Sequence, residues 1–293
     1  APYLPASFPT DGRRKALRLA IDSPRDRLWV LDTDRVYVYS LRQRALLAKI
    51  DLPRGARVAR GGCLPDMTLD PFNGMVYVAD AREPKLHVIS EESGTEALVR
   101  TELPVLAPQG QFAGALTALA VIPASHAVLA ASAETGALWR VDPITGQARA
   151  VALSGAANLK GVCGMRSLVY PARTYIDSQD AQHELYFSSL GTNMLGGLRL
   201  SAGLDRADIV NLARLVALDE PVGFAVIDGF VLAASSQLAR HPDLAGDGRP
   251  IAPFRLVPIP GALATPANEG RVGARGVRVQ SPAPLGSGPG LIR

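Results

Sequence analysis

Short runs in which nearly every position is apolar or aromatic recur along the chain, and each is closed by a turn-forming cluster. The clearest stretch runs from Gly61 to Pro104, GGCLPDMTLDPFNGMVYVADAREPKLHVISEESGTEALVRTELP. It predicts four strands, at about Met67–Asp70, Met75–Asp80, Lys85–Ser90 and Ala97–Glu102. Phe72-Asn73-Gly74, Arg82-Glu83-Pro84 and Glu92-Ser93-Gly94 separate them, because Asn, Gly and Pro take the backbone angles of tight reversals.

The same unit is predicted before and after this stretch. Upstream lie Leu17–Ile21, Arg27–Asp32, Val36–Leu41 and Leu46–Leu52. Downstream come Leu116–Ile122, Ala127–Ser132, Leu138–Asp142 and Ala148–Leu153, with Asp142-Pro143-Ile144-Thr145-Gly146 as a hairpin turn. A fourth unit reads Arg166–Tyr170, Glu184–Ser189, Leu195–Leu200 and Leu212–Leu218. It is interrupted by a polar excursion over Pro171–His183 and by Leu204–Asn211, which has helical character. A fifth has Gly223–Ile227, Phe230–Ser235 and Phe254–Pro258, with a long turn over Gln237–Pro253.

The second strands align as LWVLD, VYVAD, VLAAS, LYFSS and VLAAS, starting at Leu28, Val76, Val128, Leu185 and Val231 and so spaced by 46 to 57 residues. Strands apolar on both faces must be covered on both faces. A four-stranded unit repeating at this period is the signature of a ring of packed sheets. The expectation is therefore an all-β β-propeller of four-stranded blades, five favoured and six possible. Residues 1–15 read as a lead-in arm, 16–280 as the propeller and 281–293 as a flexible tail. Arg271–Val279, the last extended segment, or the arm, would complete the fifth blade.

Three segments, Arg27-Leu28-Trp29-Val30-Leu31-Asp32, Met75-Val76-Tyr77-Val78-Ala79-Asp80 and Glu184-Leu185-Tyr186-Phe187-Ser188-Ser189, resemble the strands of the NHL-type propeller superfamily. That group includes the SMP-30/gluconolactonase-like and the yellow/major royal jelly proteins. The lactonase-like resemblance implies a divalent metal on the axis, held by a Glu from the start of the first blade with Asn and Asp from later ones. Here that position reads Lys15-Ala16-Leu17, and the first Glu is Glu83. The yellow-like resemblance implies secretion and a small ligand in the axial mouth.

Composition narrows the function classes. A chain that is 47% hydrophobic and 20% charged is not disordered, and no apolar run reaches the roughly 20 residues of a membrane helix. The net charge is +4, but its 31 basic residues are scattered among 27 acids. A nucleic-acid footprint would be a patch or stripe, so none is expected. The chain opens at Ala1-Pro2-Tyr3 without Met, as a signal peptidase would leave it and as any other trimming of the start would too; export to a periplasmic or extracellular space is the favoured expectation.

In a propeller the segments leading into each innermost strand converge on the axis. Here they are residues 60–67, 109–114, 158–166 and 221–223. Their polar residues Arg60, Asp66, Gln111, Asn158 and Arg166, together with Asn193, are the candidate ligand contacts. Arg60, Lys160 and Arg166 would favour an anion if they point inward. Both cysteines, Cys63 and Cys163, fall in these segments. They read as a disulfide across the mouth, as two buried thiols, or, with Met67 and Met165, as a soft-metal set selecting Cu(I). No His is placed near a candidate nucleophile, so no catalytic residue is assigned. The expected protein is a non-catalytic propeller binding a small molecule or a protein partner over its axial face, without cofactor. The alternatives are a metal-dependent lactonase or hydrolase with Asp66, Asn158 and Asn193 as ligands, and a copper-handling protein.

Overall fold

The structure, a computed structural model, describes residues 11–12, 16–53, 63–80, 82–93, 95, 97–108, 115–154, 158–167, 183–190, 193–214, 221–227, 230–235 and 256–259. These residues are all-β apart from one 3-10 turn, Pro123–Ser125. Strands β1 (Arg18–Asp22), β2 (Arg27–Leu31), β3 (Arg35–Ser40) and β4 (Leu46–Asp51) form one antiparallel sheet in sequence order. Strands β5 (Met67–Leu69), β6 (Val76–Ala79), β7 (Lys85–Glu91) and β8 (Leu98–Pro104) form the second. The third unit comprises β9 (Ala118–Ile122), β10 (Ala127–Ala131), β11 (Leu138–Val141) and β12 (Ala148–Leu153). The fourth comprises β13 (Val162–Ser167), β14 (His183–Ser189), β15 (Met194–Leu200) and β16 (Arg206–Arg214). A three-stranded sheet, β17 (Pro221–Ile227), β18 (Phe230–Ser235) and β19 (Leu256–Ile259), follows. Inner strands β1, β5, β9, β13 and β17 lie side by side in that order, as in a β-propeller.

Side-chain alternation explains the stacking. On β6, Val76 and Val78 enter the layer shared with Trp29 and Leu31 of the first unit. Tyr77 and Ala79 enter the layer shared with Val128, Ala130 and Trp139 of the third. On β10 the opposite set, Ala127, Leu129 and Ala131, faces Met165, Leu185 and Phe187 of the fourth. The second and third sheets are thus core on both faces, which is why their strands read as continuous apolar runs. Complete burial of a Val or Leu contributes about 1.5–3 kcal/mol, so these layers hold neighbouring sheets together.

The third and fourth units differ from the expectation in being joined edge to edge. Their outer strands pair in parallel, Ala152 with Arg206 and Leu153 with Ala207, making one eight-stranded sheet. The helical reading of Leu204–Asn211 is overturned by the same contact. Ser201 Oγ accepts the Asp205 and Arg206 amides, turning the chain there, and Arg206–Arg214 then runs as a strand against β15. The inner strand expected at Arg166–Tyr170 starts earlier, at Val162, because a bulge at Cys163 breaks the alternation a sequence pattern relies on. His183, at the end of the expected polar excursion, opens β14 opposite Leu200.

Turn chemistry matches the sequence. Asp142 Oδ1 accepts the Ile144 and Thr145 amides, and the Gly146 amide returns to the Asp142 carbonyl. Gly146 has φ +73°, and a Cβ there would stand 2.0 Å from the Pro104 carbonyl oxygen, where the exit of β8 crosses the third unit. The arm over 1–10 and 13–15, the excursion over 171–182, the turn over 237–253, the Arg271–Val279 segment and the tail lie outside the described residues.

Candidate functional site

The inner strands meet on one carboxylate. Asp66, immediately before β5, is fully buried. Its Oδ1 accepts Arg18 Nε at 3.0 Å and the Met67 amide at 3.0 Å. Its Oδ2 accepts the Leu119 amide at 2.9 Å and the Met165 amide at 3.3 Å. Arg166 Nη1 donates to both oxygens, at 3.2 and 3.3 Å. One side chain is therefore tied to β1, β5, β9 and β13, strands of four successive units. A carboxylate offers about four acceptor directions, and here they are filled.

Arg18 is almost completely buried as well. Besides Asp66, its guanidinium donates to the carbonyls of Leu17, Leu64 and Cys163, the last at 2.6 Å. Burial lowers its pKa, against the attraction of Asp66 and with the repulsion of Arg166. Arg18 is not among the residues singled out by sequence, where its one signal is a charge inside the first apolar inner strand.

Cys63 and Cys163 form a disulfide, with Cα atoms 5.1 Å apart and a sequence separation of 100. It joins the segment before β5 to β13 and skips the unit between, a contact that only strands converging on the axis can make. Both residues are fully buried with Ala133. Thr117 adds a second strut: its hydroxyl donates to the Val162 carbonyl at 2.8 Å and accepts the Ala133 amide. With both sulfurs bonded to each other, the Cys63/Met67 and Cys163/Met165 set holds no thiolate for Cu(I), and both Met side chains are fully buried.

The other candidates fall elsewhere. Asn158 caps its own turn, accepting the Lys160 amide, and this segment lies over Gly136 in the β10–β11 turn. Asn193 sits with φ +52° in the turn before β15. Arg60 and Gln111 lie outside the described residues. The structure therefore brings Asp66 and Arg166 together. It places Asn158 and Asn193 in turns on the side of the molecule where the inner strands begin. For a metal, Asp66 is a poor ligand as placed, because two guanidiniums and three amides occupy its lone pairs and repel a cation. Among the described residues no group of three or more His, Cys, Asp or Glu is arranged to hold a metal ion.

A second buried ionic cluster lies on the second unit. Asp80 Oδ1 accepts the Arg82 and Glu83 amides at 2.8 and 3.1 Å, while His87 Nε2 stands 3.3 Å from Oδ2. Burial pushes the Asp80 pKa up, but the His87 hydrogen bond and the two amides outweigh it and bring it down to about 2. A carboxyl whose folded pKa is depressed stabilises the fold above its unfolded value, near 4, and loses that contribution as pH falls through about 2. The shift corresponds to about 2 kcal/mol. In urea unfolding followed from pH 6 to pH 2, His87→Leu is expected to shrink this acid-sensitive component. An unchanged acid limb would show that His87 does not hold the Asp80 charge.

No family model matches the chain, and no curated protein matches it in sequence. Solved structures are similar in fold. Hydrazine synthase of Kuenenia stuttgartiensis has a TM-score of 0.51 at 9% identity, over 79% of this chain and 58% of its own. An auxiliary nutrient binding protein from Bacteroides thetaiotaomicron has 0.51 at 12%, over 78% and 58%. The Malassezia sympodialis allergen Mala s 1 has 0.49 at 10%, over 87% and 96%. The chain thus spans under two thirds of the first and second of these proteins. At such identities the likeness to hydrazine synthase and the nutrient binding protein is one of fold alone, of β-propeller type.

Proposed function

We propose that this chain is an exported, non-catalytic β-propeller of the NHL-like kind, with five blades, that binds a small molecule or a protein partner over its axial face. The observation that carries the reading is the convergence of four inner strands on Asp66, with the Arg166 side chain 30% exposed beside it. Rigid strands position a charged group at the axis, where lead-in segments from distant parts of the sequence meet. The disulfide suits an oxidising compartment. No helix among the described residues is long and apolar enough to cross a membrane. A similar fold serves a protein described as nutrient binding.

Amide exchange in the presence of a host extract, split into low- and high-molecular-mass fractions, tests the proposal. Slower exchange is expected at the starts of β5, β9 and β13, with outer strands β4, β8 and β12 unchanged, and the active fraction tells small molecule from protein. Protection confined to outer strands would overturn the axial assignment. The same protection is expected after exhaustive chelation, and its loss would move a metal-dependent lactonase reading ahead.

A further inference from the structure

The axial cluster carries an unbalanced charge. Two guanidiniums, Arg18 and Arg166, share the single carboxylate of Asp66, which among the described residues leaves one positive charge in surplus at this cluster. Arg18 spends its donors on Asp66 and on three backbone carbonyls. Arg166 does not. Its hydrogen bonds among the described residues leave from Nη1 alone, to Asp66 and to the Met165 carbonyl at 2.6 Å.

That pattern leaves Nε and Nη2 on the opposite side of the guanidinium. Their N–H bonds run parallel and form the edge that meets a planar carboxylate through two hydrogen bonds. Nη1 is fixed by the carboxylate of one unit and the carbonyl of its own strand, so the plane of the group is set before any ligand arrives. Arg166 pairs with Tyr186 across β13 and β14, and the Tyr186 ring meets Phe224 of β17 edge-on at 6.4 Å. Arg166 therefore leaves β13 on the same face as Tyr186, the face that looks toward β17.

We infer that the Nε–Nη2 edge of Arg166 receives the carboxylate of a small organic acid. This rests on the axial binding reading above and gives it a ligand class. The anion neutralises the surplus charge, and the pre-set guanidinium lowers the ordering cost of binding. Inorganic phosphate also presents paired oxygens. Carboxylate is the assignment because the site offers one flat edge, which a planar carboxylate meets with both oxygens in the plane of the guanidinium, whereas phosphate oxygens are arranged tetrahedrally.

Calorimetric titration of the full chain at low ionic strength tests this, with succinate as probe, its neutral diamide as control and inorganic phosphate as competitor. One succinate per chain is expected, with no response to the diamide. Arg166→Gln should weaken succinate at least tenfold, and so should Arg166→Lys, because an ammonium keeps the charge and loses the edge. The Arg166 Nε–H resonance should shift on addition of succinate to the unaltered protein, a readout that does not depend on how the variants fold. Equal binding by Arg166→Gln, an equal response to the diamide, or an unmoved resonance would overturn the inference, and phosphate binding tighter than succinate would overturn the carboxylate assignment. Axial protection by a neutral ligand indifferent to Arg166 would sink this inference alone; protection confined to outer strands would sink the axial reading with it.

Discussion

Asp66→Asn is expected to destabilise the fold by about 3–5 kcal/mol, the scale for removing one partner of a buried ion pair. The amide keeps the shape of the side chain but turns one acceptor into a donor. That donor faces either the guanidiniums or the Leu119 and Met165 amides, all of which now approach an acceptor. Arg18 is left as a buried cation with only carbonyls around it. Arg18→Met should cost less, since Asp66 would retain Arg166 and three backbone amides, and the loss is confined to carbonyls of Leu17, Leu64 and Cys163 without their donor. The two changes should also couple, because the double variant no longer strands a charge. Urea unfolding of the two single variants and the double variant measures both quantities. A cost below about 1 kcal/mol for Asp66→Asn would mean that the carboxylate is a bystander at the axis rather than the tie between units.

What could be read from the sequence follows from how much of each feature is local. Strand positions in the first three units were legible because Trp29, Val30 and Leu31, or Val76 to Ala79, are buried on both faces and their turns carry Asn, Gly, Pro or Asp at the positions that geometry requires. Where a non-local contact decides, the pattern fails. Arg206–Arg214 becomes a strand through pairing with β15 and with the edge of β12, neither of which is visible in its own composition. The placement of Asp66, Arg166, Cys63 and Cys163 near the axis was legible from periodicity, since each precedes or enters an inner strand. That Arg18 would reach across to the carbonyl of Cys163, 145 residues away, was not. Side-chain reach across an axis depends on how tightly the inner strands close, and no local pattern encodes that.

The disulfide is the second tie across the same axis, and its removal should be felt there first. A bond closing a loop of 100 residues stabilises by about 4–5 kcal/mol in the chain-entropy model, and loss of a native disulfide typically costs about 2–5 kcal/mol. Cys63→Ala with Cys163→Ala is expected to fall in that range in chemical unfolding. Because the bond is fully buried, reductant should act on it slowly in the folded protein and readily once urea exposes it. The native contacts add a second expectation. Cys163 supplies the carbonyl that Arg18 Nη2 binds at 2.6 Å, and Met165 and Arg166, on the same strand, hold Asp66. The disulfide therefore fixes β13 at the distance the Arg18–Asp66–Arg166 cluster needs, and the cluster in turn holds the two sulfurs' strands together. Combining the cysteine pair change with Asp66→Asn should cost less than the two separate effects together, since the first change already loosens what the second would break. Strict additivity would mean that the bond acts only on the unfolded chain and that the axial cluster is positioned without it.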